Sequence, residues 1–141
     1  MTVVQGGPVS YLVAYICSLL VIVAIDATWL SMMEPILYRP ALKEVLTPNL
    51  RIAPAVAFYL MYPIGVVTFA VMPALHLRSI TSAFLLAALF GAIAYATYDL
   101  TNYATLRNWT LKITVVDIIF GASLSGVAAM TSFALVSFNT F

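Results

Sequence analysis

The stretch Tyr95-Ala-Thr-Tyr-Asp-Leu-Thr-Asn102 sets a carboxylate and an amide at the end of a long hydrophobic run. At about 100° per residue, the small and polar residues of this run share about one third of a helical surface. They are Ala88, Gly91, Ala92, Tyr95, Asp99 and Asn102. Small residues let helices approach closely in lipid, and an intramembrane carboxylate costs about 2.5 to 3.5 kcal/mol on insertion scales. We therefore expect this stripe to face the interior of a helix bundle.

The composition indicates the class of protein. Of the 141 residues, 64% are hydrophobic and 8% are charged, whereas soluble domains average about 45–50% apolar and about 25% charged. A soluble core of this length cannot hide so much apolar surface, so we predict an integral membrane protein whose partner is the lipid bilayer. Residues 1–141 are expected to form one domain. The net charge of +1 and the lack of a basic tract exclude nucleic acid as a partner.

Four hydrophobic segments reach the length of about 17 to 25 residues that a transmembrane helix needs. They cover about residues 9–33, 54–75, 80–103 and 113–138. Because two of the three connections are short, consecutive helices should pack antiparallel. The predicted fold is all-α, an integral-membrane, up-down bundle of four transmembrane helices. Met1–Pro8 has no positive region typical of a signal peptide, so the first segment is expected to be retained.

The longest connection, residues 34–53, contains much of the charge of the chain. Its first part, residues 34–46, fits a short helix in the membrane interface, with leucines toward lipid and charged side chains toward water. The leucines are Leu37, Leu42 and Leu46. A simple solvated loop fits this segment nearly as well.

The sequence offers few ligands for a cofactor. With Cys17 and His76 as the only cysteine and histidine, it has no thiolate set for zinc or iron–sulfur clusters and no histidine pair for haem. Asp99 and Asn102 supply two oxygen atoms three residues apart, but paired aspartate-rich motifs are absent. We therefore predict no metal, no cofactor and no catalytic residues.

Two other segments carry a polar arc that includes one aspartate. In the first segment the arc comprises Tyr15, Ser18, Ile22, Asp26 and Trp29. In the fourth it comprises Thr114, Asp117, Gly121, Ser125, Ala128 and Ser132. In the second segment, Pro63 is expected to kink the helix or free a carbonyl near Tyr59 and Tyr62.

If the segments alternate in direction, Asp26, Asp99 and Asp117 fall in the same half of the membrane. Basic residues follow the same asymmetry, since five of the six flank that side and Arg78 alone flanks the other. The five are Arg39, Lys43, Arg51, Arg107 and Lys112. The positive-inside rule makes this side cytoplasmic and places both termini outside. The expected location is a bacterial inner membrane or an organellar inner membrane.

The converging acids admit two interpretations. One is a partly hydrated, acid-lined pocket that binds a ligand, with Arg107 as a counter-ion on the loop that closes it. Its candidate ligand-binding residues are Asp26, Trp29, Tyr59, Tyr62, Tyr95, Tyr98, Asp99, Asn102, Arg107 and Asp117. The other is that the acids cap helix ends, accept hydrogen bonds and hold the bundle together.

Several motifs resemble one family. They are Asp26-Ala-Thr-Trp29, Phe58-Tyr-Leu-Met-Tyr62, the stretch from Phe69 to Pro73-Ala-Leu75, and above all Phe90-Gly-Ala-Ile-Ala-Tyr-Ala-Thr-Tyr-Asp-Leu-Thr-Asn-Tyr-Ala-Thr-Leu-Arg-Asn-Trp109 followed by Asp117. These resemble the predicted membrane proteins grouped as domain of unknown function 2177 (DUF2177). The resemblance implies a small four-helix membrane protein without an established activity. It puts Asp26, Trp29, Tyr98, Asp99, Thr101, Asn102, Arg107 and Asp117 at motif positions, while Tyr103 and Asn108 depart from the usual Leu and Gly.

Three functions follow from these observations. The first is binding or moving a small polar or amphiphilic molecule, such as a lipid headgroup, at the acid-lined pocket. The second is an accessory subunit that packs by its small-residue stripes within a larger membrane complex. The third is an intramembrane enzyme, which ranks last because the chain lacks a nucleophile paired with a base.

Overall fold

The computed structural model describes residues 7–140, and their side chains as far as residue 138. Most of Met1–Pro8, on which the expectation of a retained first segment partly depends, lies outside this range. The described part is helical and contains no strand. Its elements are α1 (Pro8–Met33), a π-helical turn (Glu34–Tyr38), α2 (Arg39–Leu42), α3 (Ile52–Val66), a second π-helical turn (Val67–Val71), α4 (Met72–Leu77), α5 (Ile80–Thr105) and α6 (Leu111–Thr140).

Joined end to end, these elements form four spans that are long and apolar enough to cross a membrane. They are the first span (Pro8–Leu42), the second (Ile52–Leu77), the third (Ile80–Thr105) and the fourth (Leu111–Phe138). A span of 26 residues measures about 39 Å at 1.5 Å per residue, which exceeds the hydrocarbon thickness of about 30 Å. The predicted all-α bundle of four membrane helices is confirmed.

The first span is longer than predicted. It continues past Met33 through the first π-helical turn into α2, so residues 34–42 are helical but do not form a separate helix. Leu37 and Leu42 pack against Trp109 and Ile113 at the start of the fourth span. These two leucines therefore contact protein, whereas the sequence pattern assigned them to lipid.

Helices α5 and α6 pack closely because glycine occupies the contact. A Cβ atom at Gly91 would overlap the carbonyl oxygen of Gly121 and the side chain of Ser125, and one at Gly121 would overlap the ring of Tyr95. All six residues predicted for the polar arc of the fourth span are buried. On α5 the buried residues are Ala83, Ala87, Gly91 and Asp99, while Ala88 and Ala92 are half-buried. The small-residue stripe faces inward, as predicted.

The second span keeps one face toward the bundle core because its geometry changes from α-helical to π-helical and back. Its buried residues recur every four positions, at Tyr62, Val66, Ala70 and Ala74. In an α-helix of 3.6 residues per turn, residues four apart drift around the axis by about 40° at each step. The wider π-helical turn Val67–Val71 offsets this drift. The change lies between Pro63 and Pro73, neither of which has an N–H for the helical ladder.

Replacing Gly91 by Leu should lower the free energy of unfolding in mild detergent by about 1 to 3 kcal/mol, because the new side chain forces α5 away from α6. Thermal melting measures the effect. Thr97→Leu is the matched control, since Thr97 is exposed on the same helix. Equal melting of the two variants would show that the α5–α6 contact tolerates a large side chain.

The charge asymmetry generates a topology prediction. The loop of residues 43–51 and the turn of residues 106–110 carry three of the six basic residues, Arg39 and Lys112 flank the same side, and both connections are expected to be cytoplasmic. A reporter inserted after Thr47 should then read cytoplasmic, and one fused after Phe141 should read the opposite side. Reversed readings would show that the basic residues do not set the orientation.

Candidate functional site

Three aspartates from three spans meet in the charged half of the bundle. Asp26 in the first span is 7% exposed, Asp117 in the fourth is 6% exposed, and Asp99 in the third is fully buried. The carboxyl group of Asp117 interacts electrostatically with those of both Asp26 and Asp99. We refer to Asp26, Asp99 and Asp117 as the acidic cluster.

Tyrosine hydroxyls supply hydrogen bonds to two of the acids. Tyr59, from the second span, donates to Oδ2 of Asp26 at 2.5 Å. Tyr38, in the first π-helical turn, donates to Oδ1 of Asp117 and accepts a hydrogen bond from Nε1 of Trp29 at 3.1 Å. The hydroxyl group of Tyr38 thus links a tryptophan on its own span to an aspartate on the fourth.

Asp99 differs from the other two acids. Neither of its carboxylate oxygens has a hydrogen-bond donor among the described residues, although both are buried. Its neighbour Asp117 is within hydrogen-bonding reach, and because two ionised carboxylates are both acceptors, this hydrogen bond forms only when one of them carries a proton. A buried carboxylate without a donor is costly, so a proton or a ligand is needed to complete this site.

Aromatic rings and one serine lie beside the acids. The hydroxyl of Ser125 donates to the backbone carbonyl of Gly121 at 2.7 Å. Because Ser125 has only one hydroxyl proton, Tyr62 is the donor in the 2.7 Å hydrogen bond between Tyr62 and Ser125. The ring of Tyr95 covers Gly121 and meets Tyr62 edge to face, with ring centroids 6.3 Å apart. Both tyrosines interact electrostatically with Asp26, and Tyr95 also with Asp117, so they lie beside the acidic cluster.

The positive charges of the protein lie away from these acids. All six basic residues are exposed, and Arg39 pairs with Glu34 at 2.8 Å. Arg107 lies in the turn between the third and fourth spans, and among the described residues no ion pair joins it to the acidic cluster. The structure therefore gives no support to Arg107 as an internal counter-ion.

Two other candidate residues lie at the edge of the site. Tyr98 is 60% exposed and meets the ring of Trp109 edge to face, with centroids 5.5 Å apart. Asn102 is half-buried and interacts with Tyr98. The centre of the site consists of the acidic cluster with Tyr38, Tyr59, Tyr62 and Tyr95.

Sequence reasoning missed several residues of the site, of which Tyr38 is the most important. The sequence pattern predicts an interfacial helix or a solvated loop for residues 34–46, and neither prediction places Tyr38 in the interior. Tyr38 precedes Leu42 by four residues and so shares its helical face, but the sequence pattern assigns that face to lipid and only the structure shows that it is buried. Sequence reasoning also misses Trp109, which is buried and donates a hydrogen bond from Nε1 to Oγ1 of Thr114 at 3.1 Å.

The two grooves described on the surface of the bundle are not lined by the acidic cluster. Two open grooves lie on the outer surface between the first and fourth spans, of about 350 and 400 Å³, and both have apolar linings without an aspartate. The described residues also hold no group of three or more His, Cys, Asp or Glu side chains placed to bind a metal ion. Asp26 and Asp117 accept hydrogen bonds from tyrosines, so a ligand that binds to either acid competes with a tyrosine hydroxyl.

Removal of a single hydroxyl tests how strongly the acids depend on tyrosine. Tyr59→Phe leaves Asp26 without its donor and should destabilise the protein by about 1.5 to 3 kcal/mol, the range for hydrogen bonds to charged groups. Tyr15→Phe is the control, because the hydroxyl of Tyr15 donates to the backbone carbonyl of Leu60 at 3.0 Å and should cost only about 0.6 kcal/mol. Equal melting shifts in detergent would mean that Asp26 does not need Tyr59.

Comparison with known proteins identifies one family. A family model described as a predicted membrane protein (DUF2177) matches residues 11–134. Neither the curated proteins nor the solved structures give a match to this chain. The matched range contains every residue of the acidic cluster and every tyrosine around it.

Proposed function

Because the chain belongs to the DUF2177 family of predicted membrane proteins, whose description names no activity, we propose a function from the site itself. The protein binds, and moves within the membrane, a small polar or amphiphilic molecule at the acidic cluster. The site lies in the half of the bundle from which the loop of residues 43–51 emerges. All four spans contribute side chains to it.

The state of Asp99 is the observation that carries this proposal. Its carboxylate is fully buried and has no donor among the described residues. A group retained only to hold the bundle together would be expected to have its hydrogen bonds satisfied, as Asp26 has with Tyr59. An unsatisfied intramembrane acid is a candidate for function by default.

The chemistry of the site defines what it can bind. Its three carboxylates are acceptors when ionised, and the basic side chains lie outside at the surface. A ligand that stabilises them must therefore bring hydrogen-bond donors, a positive charge, or both. An ammonium group meets this requirement, and the surrounding tyrosine rings favour it further through cation–π attraction.

The accessory-subunit alternative has less support. It relied on the small-residue stripes to pack against another protein. Gly91 and Gly121 instead lie in the contact between α5 and α6, where an added Cβ would overlap neighbouring atoms. These stripes are therefore not available to a partner subunit.

Three variants of Asp99 separate a binding role from a structural one. Purified protein in mild detergent is heated with choline or ethanolamine as probes, and each should raise the melting temperature of the wild type. A probe at about 100 times its dissociation constant stabilises by about 2.7 kcal/mol. Asp99→Asn keeps the shape and should melt normally without a probe but lose the stabilisation. Asp99→Glu keeps the charge and should retain part of it.

Asp99→Leu serves as the structural comparison, because it removes the polar group and should remove the probe effect as well. Thr97→Val is the surface control on the same helix, since Thr97 is exposed and bonds its own backbone at 2.8 Å. It should respond to the probes as the wild type does. Stabilisation of the Asp99→Asn protein by choline to the same degree as the wild type would refute the proposed site.

A further inference from the structure

We propose that the ligand is an amphiphilic organic cation with a single apolar chain, and that it reaches the acidic cluster sideways from the lipid, between the first and fourth spans. This inference rests on the proposed function and adds the class of ligand and its route. It follows from a groove, a pair of stacked rings and the charges behind them.

The groove lies on the outer surface, where the first and fourth spans meet. It has a volume of about 400 Å³ and is lined by Ala24, Ile25, Thr28, Trp29, Met32 and Phe120. Thr28 is its one polar side chain, and its hydroxyl donates to the carbonyl of Ala24 at 2.7 Å. The lining therefore offers an apolar chain a surface without unsatisfied polar side chains. We name it the Trp29 groove.

Its volume decides how large a molecule it suits. Small-molecule sites in proteins span about 300 to 1,000 Å³, and the Trp29 groove lies near the lower limit. Because the groove is open on the outer side, its volume describes the part of a ligand that rests in it, and one apolar chain accounts for that part. We therefore commit to a single-chain amphiphile dissolved in the bilayer.

Two stacked rings separate the Trp29 groove from the acids. The rings of Trp29 and Phe120 lie 4.1 Å apart between centroids at an interplanar angle of 13°. On the inner side, Nε1 of Trp29 donates to Tyr38, which donates to Asp117. Phe120 contacts Tyr95 edge to face at 6.3 Å. Two layers of aromatic side chains, Trp29 with Phe120 outside and Tyr38 with Tyr95 inside, thus stand between the lipid and Asp117.

The negative charge of the acidic cluster, on the inner side of these aromatic side chains, complements a cation. Three acids interact there, and the basic residues of the chain are exposed elsewhere. A cationic head that passes between Trp29 and Phe120 moves from lipid over aromatic faces, which attract cations, to the carboxylates. Its chain stays in the groove. A neutral amphiphile gains the chain contacts but not the charge interaction.

The second groove provides an internal comparison. It lies between the same two spans, has a similar volume of about 350 Å³, and is lined by Val13, Ile16, Cys17, Leu20, Val21 and Leu135. No acid of the cluster is near it, because all three aspartates lie toward the other end of the bundle. It should accept apolar chains without regard to the charge of the head.

The test uses tryptophan fluorescence quenched by bromine, which acts at short range. Trp29 and Trp109 are the two tryptophans of the chain, so Trp109→Phe leaves Trp29 as the reporter. The protein is placed in phosphatidylcholine nanodiscs. It is titrated with dodecyltrimethylammonium brominated on its chain, and separately with the equally brominated dodecanol. The ammonium probe should reach half-quenching at about tenfold lower concentration, which corresponds to about 1.4 kcal/mol.

Two controls assign the difference to the acids. The Asp99→Asn and Asp117→Asn double variant should reduce the difference between the two probes to less than about twofold. Leu20→Trp, in a protein with Trp29→Phe and Trp109→Phe, reports on the second groove and should show equal quenching by both probes after correction for their partition into lipid. If Trp109→Phe fails to fold, the wild-type protein carries the same comparison, because Trp109 is buried.

Each outcome decides the proposal. Equal quenching of Trp29 by the ammonium and the alcohol would overturn it and leave the Trp29 groove as a site for any lipid chain. A preference that survives in the double variant would also overturn it. If choline stabilises the protein through Asp99 but the ammonium probe does not favour Trp29, the proposed function stands and the lateral route is wrong. If neither effect is seen, both proposals fail.

Discussion

The structure depends on the burial of three carboxyl groups without a basic partner. Removing an isolated charge from water costs several kcal/mol even after the protein relaxes, and hydrocarbon offers no compensation. The bundle reduces this cost with tyrosine, since Tyr59 bonds Asp26 and Tyr38 bonds Asp117. For Asp99 no donor lies among the described residues. Asp99 is thus the one acid of the three without a tyrosine donor among the described residues, and it is the one with no exposed surface.

The close packing of the third and fourth spans brings Asp99 next to Asp117. Gly91 and Gly121 remove the side chains that would hold α5 away from α6. Asp99 follows Gly91 by eight residues, or about two turns, so it lies on the same face and is turned toward Asp117. The short turn after Thr105 joins the two helices just beyond the acids. The small-residue stripe thus determines both the fold and the proximity of two carboxyls.

The sequence allowed the four spans and the inward direction of the acids to be predicted because both depend on periodicity and composition. Asp99 is costly in lipid, and its face carries glycine, so its burial follows from local information. The role of Tyr38 does not, since it depends on the first span continuing as a helix to Leu42 and packing against Trp109. Whether a cavity accompanies the acids also could not be predicted, because side-chain packing between spans decides it.

The choice of tyrosine over arginine as the partner of these acids has a consequence for binding. An arginine at the position of Tyr38 or Tyr59 would neutralise its carboxylate and remove the attraction for a cation. A tyrosine hydroxyl satisfies one lone pair of the acid and leaves the charge of the site unbalanced. Such a site is held in shape by neutral donors and still favours a positive group. It also keeps aromatic faces beside the carboxylates, where an incoming cation is stabilised before it reaches them.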